Sequence, residues 1–233
     1  MRKETRTYIH SYIDHISKAG DPSKAVQMKK YMRNQFEFLG IPSPDRKIHE
    51  RAFLKENGIP EYDNIESVVL DLWEIPEREF QYFALSILDR SLKKMPGKYI
   101  HLFEKLVVRK SWWDTVDFIA PQLIGFHFRK YPEDIHEYTE KWLDSGNIWL
   151  QRSCILFQLK YKKDTDLKLL YYIIDRLKNS NEFFIQKAIG WILREYSKFD
   201  PDEITRYVKN TQLKPLSARE AMKVIRRKEK QDK

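Results

Sequence analysis

Asp117, Arg152 and Lys187 follow one another at intervals of 35 residues, and Tyr82 stands another 35 before Asp117. Trp113 precedes Asp117 by four residues, and Trp191 follows Lys187 by four. Side chains four apart on a helix lie on the same face. If these stretches are helices and 35 is a repeat length, then Trp113, Asp117, Arg152, Lys187 and Trp191 share one surface. A column of tyrosine, acid and two bases is too polar for a core. Indole faces attract cations, by about 0.5–2 kcal/mol per contact. A carboxylate attracts them too, and surrounding bases attract phosphates. The ligand that suits all three is a cation embedded in a polyanion. DNA with a purine alkylated on N3 or N7 is such an object, because alkylation leaves a formal positive charge on the base. Taken singly the residues mean less: a helical tryptophan is usually core, and an exposed Asp117–Arg152 pair would contribute less than about 1 kcal/mol.

The elements that must position these residues are helices. Tyr8, Tyr12, Ile13 and Ile16 share a face of a first helix. Asp21-Pro22 reads as a cap followed by proline, opening a second helix expected to run to Phe36. Ser43-Pro44 opens a third, to about Leu54, ended by Asn57-Gly58 and Pro60. An apolar stripe from Ile65 to Leu72 and another after Pro76 follow, and Pro96-Gly97 breaks the chain again. No run has the period of two that a strand needs. Three segments, around Gln81, Gln151 and Gln186, resemble one another, and these glutamines are 70 and 35 residues apart. Val116 occupies the intervening register. A period near 35 with two helices per unit predicts an all-α fold, a curved α-solenoid of HEAT-like two-helix repeats. One repeat domain with a concave DNA-binding face is expected over residues 1–225, and a charged C-terminal tail over 226–233.

Composition agrees with an anionic partner. Lys plus Arg outnumber Asp plus Glu 43 to 34, a formal charge of +9 in 233 residues, and aromatic residues reach 14%. A basic, aromatic-rich surface suits nucleic acid, although charge alone does not separate this from a basic protein with a well-filled core. With 7 glycines there is little room for phosphate-cradling loops, so no nucleotide cofactor is expected. The one cysteine, Cys154, excludes an internal disulfide and a multi-cysteine zinc site. His49-Glu50 lacks the second histidine of a zinc-hydrolase motif, and His127 and His136 are separated by Pro132, so no metal is expected either. No apolar stretch has membrane-spanning length. A cytoplasmic monomer is anticipated, nucleoid-associated if bacterial.

Several longer strings resemble the AlkD-type DNA alkylation repair glycosylases, a HEAT-like repeat family. They are Lys29 to Phe36, Phe38-Leu39-Gly40-Ile41, Trp73 to Phe80, Lys110 to Asp117, Asn147 to Arg152 and Phe183 to Trp191, which together span nearly the whole chain. The resemblance implies excision of N3- and N7-alkylated purines from duplex DNA. It places the family's carboxylate on Asp117 and its two tryptophans on Trp113 and Trp191. It places a DNA-backbone arginine on Arg152 and a cleft tyrosine on Tyr31. It further implies that the damaged base does not enter a pocket.

Residue chemistry is compatible with that implication. A cationic purine leaves with little proton assistance, and charge appears on the deoxyribose as an oxocarbenium ion. Asp117 could stabilise that ion or orient the attacking water. Trp113 and Trp191 would shield it, and Arg152 and Lys187 would hold flanking phosphates. A protein-interaction scaffold and a non-catalytic DNA-binding relative remain open as alternatives at this point.

Overall fold

The computed structural model describes residues 3–231. It is all-α, with no strand among the described residues, as the periodicity predicts. The chain packs as two compact units that divide at the Pro96-Gly97 break. The first contains α1 (Lys3–Ser17), α2 (Pro22–Tyr31), α3 (Ser43–Asn57), α4 (Ile65–Glu74) and α5 (Arg78–Ser91). The second contains α6 (Ile100–Val108), α7 (Trp113–Phe118), α8 (Gly125–Lys130), α9 (Asp134–Asp144), α10 (Ile148–Leu156), α11 (Leu167–Leu177), α12 (Phe183–Tyr196), α13 (Pro201–Asn210), α14 (Pro215–Ala221) and α15 (Lys223–Gln231). Residues 226–231 of the expected tail therefore belong to a helix, while 232 and 233 lie outside the described residues.

The core of the first unit is aromatic. Tyr12 stacks on Phe83 with ring centroids 3.5 Å apart, and Phe53 meets both edge-on. Asp21 caps α2 as expected, accepting from the backbone N–H groups of Ser23 and Lys24. The helix does not reach Phe36. It stops at Tyr31, because Arg33 and Asn34 take left-handed conformations and their N–H groups return to the carbonyls of Lys30 and Lys29. That is an ordinary way to close a helix C-terminus, and Asn tolerates it well. The following loop is held by Glu79, which is buried and accepts from the N–H groups of Leu39, Gly40 and Ile41 at 3.0–3.1 Å.

The glutamine register has a physical explanation. Gln81 donates to carbonyls of Leu72, Trp73 and Ile75 at the end of α4. Gln151 donates to Leu143 in the last turn of α9, and Gln186 to Ser180 just beyond α11. Each satisfies carbonyls that a helix end leaves without intrahelical partners. At the Val116 register the task passes to Ser111, whose hydroxyl donates to Val107 near the end of α6 at 2.7 Å. Val116 itself is fully buried.

In the second unit, side-chain bonds repeatedly link positions about 35 apart. Tyr138 bonds to His101, Lys141 to Glu104, Tyr161 to the Gly125 carbonyl, Arg176 to Glu140, and Tyr171 to Glu203. Advancing the sequence by one such interval lands on an adjacent helix.

Candidate active site

The site is built on three helices of the second unit, with a fourth closing one wall. Trp112 is extended and ends the α6–α7 connection, so Trp113 opens α7 and Asp117 lies one turn further along. Pro121 has no N–H to offer the Asp117 carbonyl, and the helix passes into a π-helical segment, Ile119–Ile124. Such segments often occur at functional positions. On α10, Asn147 caps the helix by accepting from Trp149 and Leu150, which sets Arg152 one turn in. Lys187 and Trp191 are successive turns of one face of α12.

These elements bring Trp113, Asp117, Arg152, Lys187 and Trp191 together around a cleft of about 510 Å³. Arg152 Nε donates to Asp117 Oδ1 at 2.8 Å and Nη2 to Oδ2 at 2.9 Å. This fork is the strongest geometry available to a carboxylate–guanidinium pair. The remaining Nη1 donates to the Phe184 carbonyl. The Arg152 side chain is 5% exposed and that of Asp117 16%, so the pair is buried and open only on the carboxylate's side. Beside it, Trp112, Trp149 and Phe184 pack with ring centroids 4.9–5.7 Å apart. Burial pushes the Asp117 carboxyl above its ordinary value. The hydrogen bonds and charge of Arg152 act in the opposite direction, and Asp114 adds to the rise.

Arg152 was expected to hold DNA backbone. In the structure its three guanidinium nitrogens bond to Asp117 and to the Phe184 carbonyl. Lys187 is 37% exposed and lies 3.0 Å from Glu220. The remaining expected residues fall in the first unit. Tyr31 is the last residue of α2 and is 72% exposed. Tyr82 is half-buried, with the Arg46 guanidinium 4.6 Å above its ring. No cluster of three metal-binding side chains occurs among the described residues, and no helix there is long and apolar enough to cross a membrane.

Sequence reasoning missed the far wall of the cleft. Glu220, on α14, accepts from Lys187 and Lys223 on one oxygen and from Arg194 on the other. Burial alone would raise its pKa, but the Lys223 and Lys187 hydrogen bonds prevail and hold it at about 2. Four cations and two carboxylates therefore line the cleft, leaving it net positive. The spacing of Glu220 and Lys223 is that of an ordinary exposed i,i+3 pair, so nothing in the sequence marked it.

No curated protein matches the chain. Among solved structures, it is similar to a predicted DNA alkylation repair enzyme from Enterococcus faecalis. The two are 31% identical with a TM-score of 0.81, over 88% of this chain and 95% of that one. The family model described as DNA alkylation repair enzyme matches residues 12–225, which include every residue of the cleft. The chain belongs to the DNA alkylation repair enzyme family.

Proposed function

We propose that the protein is a monofunctional DNA glycosylase that hydrolyses the N-glycosidic bond of N3- and N7-alkylated purines in duplex DNA. One observation carries the reading: a buried carboxylate, fixed by a bidentate arginine, faces a positive cleft lined by two tryptophans.

The leaving base is already cationic, so the barrier lies in forming the sugar cation. Only a group that stabilises this cation more than the ground state raises the rate. An ionised Asp117 about 4 Å from it, at an effective dielectric near 20, would contribute about 4 kcal/mol. That is roughly a thousandfold in rate. Arg152 acts on DNA through Asp117. Its fork offsets the desolvation that would otherwise protonate the acid, and it holds both oxygens in one orientation. The same carboxylate can orient the water that attacks the anomeric carbon. Trp113 and Trp191 pack on the deoxyribose and keep bulk water from the ion pair, while the base stays outside any enclosing pocket. Lys187, Arg194 and Lys223 receive flanking phosphates, and Tyr31 contacts DNA from the first unit.

The test is incubation with duplex DNA containing 7-methylguanine, followed by assay of free base. Release of 7-methylguanine without release of uracil from a matched duplex is the expected result. The proposed mechanism supplies no proton to a neutral leaving base, so ready uracil release would sink the charge argument. DNA binding without any release would leave a non-catalytic DNA-binding protein.

A further inference from the structure

Glu220 is an odd component for a surface that must attract phosphate. It is a carboxylate set among the cleft's cations, and its side chain is 5% exposed. Lys187 and Lys223 both bond to Oε1, at 3.0 and 2.6 Å, and Arg194 bonds to Oε2 at 2.7 Å. The three cations come from different places: Lys187 and Arg194 are two turns apart on α12, and Lys223 begins α15. Two ammonium groups that share one oxygen lie within a few ångströms of each other, where their repulsion would normally drive these flexible side chains apart.

The packing gives Glu220 a reserved position. A β-carbon at Gly190 would fall 2.4 Å from Glu220 Cβ and 2.8 Å from the Ser217 carbonyl oxygen, so α12 and α14 approach this closely only because residue 190 is glycine. Ser217 then donates to the Gln186 carbonyl at 3.0 Å and locks the same two helices together. The carboxylate is thus delivered by backbone packing, and the cations converge on it. Because three positive charges meet one negative charge, the assembly stays net positive and open to a further anion.

We infer that Glu220 is a positioning residue that gathers Lys187, Arg194 and Lys223 into one cluster that binds a DNA backbone phosphate beside the Asp117 site. The inference rests on the glycosylase reading for the identity of the anion. It does not depend on turnover.

Charge counting and charge positioning predict opposite signs for one substitution. Glu220→Gln keeps the shape and adds one net positive charge. If Glu220 merely offsets nearby cations, the variant binds duplex DNA more tightly. If Glu220 assembles them, the cations disperse and binding weakens.

The experiment measures the affinity of wild type, Glu220→Gln and Glu220→Asp for an undamaged duplex across a salt series, with thermal melts to establish folding. The expected result is an affinity loss of about threefold to tenfold for Glu220→Gln, with a shallower salt slope and partial recovery in Glu220→Asp. Equal or tighter binding by folded Glu220→Gln overturns the inference. Should Glu220→Gln fail to fold, Lys187→Gln and Lys223→Gln decide. Each is expected to lower the salt slope by about one contact, and unchanged slopes in both overturn the inference. Wild type that binds duplex but releases no alkylated base would overturn the glycosylase reading and leave this one standing. Wild type that does not bind duplex would overturn both.

Discussion

Each unit contains a buried acid–arginine pair, and the two pairs have opposite designs. In the first unit Arg46 and Glu50 are one turn apart on α3 and bond to each other. The second oxygen of Glu50 accepts from Ser86 at 2.7 Å, and the Arg46 guanidinium lies over the Tyr82 ring. The Glu50 side chain is 5% exposed, against 16% for Asp117. In the second unit Asp117 and Arg152 come from different helices, and Arg152 engages both carboxylate oxygens. That carboxylate borders a cleft. An acid and an arginine serve packing in the first unit; in the second, on the proposed function, they serve chemistry because the carboxylate borders a cleft.

The largest expected contrast comes from neutralising each acid. Asp117→Asn should retain duplex binding and lose excision by about a thousandfold, the value of a carboxylate near the sugar cation. Glu50→Gln should leave single-turnover excision within about twofold but lower stability by roughly 3 kcal/mol, since it strands a buried guanidinium. Full excision by Asp117→Asn would remove that residue from the mechanism. Loss of excision by folded Glu50→Gln would mean that the two pairs are not functionally distinct.

A smaller effect should follow from removing the cation in the second pair. In the proposed mechanism Asp117 acts ionised, so the rate should fall as pH drops through its pKa, which burial places above the ordinary carboxylate value. Arg152 opposes that rise, so Arg152→Gln lets burial act unchecked. The acid limb of the single-turnover rate profile should then move to higher pH, with a rate loss at neutral pH of about tenfold to a hundredfold. A limb that stays in place would show that Arg152 does not govern the ionisation of Asp117. Smaller still, Trp113→Ala and Trp191→Ala should each slow excision by about tenfold, roughly the scale of one lost indole contact with a cation. Rates equal to wild type in both would take the indoles out of the site.

Much of this site could be read from residue spacing. The intervals separating Asp117, Arg152 and Lys187, with tryptophans one turn away, place all five residues around one cleft because helices stacked at a fixed period align equivalent positions. The orientation of Arg152 was not legible. A column states which residues are neighbours, but not whether a long side chain turns outward to phosphate or inward to a carboxylate. Glu220 escaped for another reason. It lies 33 residues after Lys187, out of register by two, on a helix of seven residues whose approach depends on the missing side chain of Gly190. In the fold, the caps at Asp21 and Gly58 and the break at Pro96-Gly97 were evident from turn chemistry. The early end of α2 was not, because left-handed Arg33 gives no compositional warning.

The bonds that tie one helix layer of the second unit to the next, such as Tyr138 to His101 and Arg176 to Glu140, nearly all join near neighbours in the stack. Assembly can therefore start at any layer and spread outward, without first closing a loop between distant parts of the chain. Under a pulling force, such a unit should come apart layer by layer from an end, and the layers that carry the cleft, bonded on both sides, should be among the last to yield.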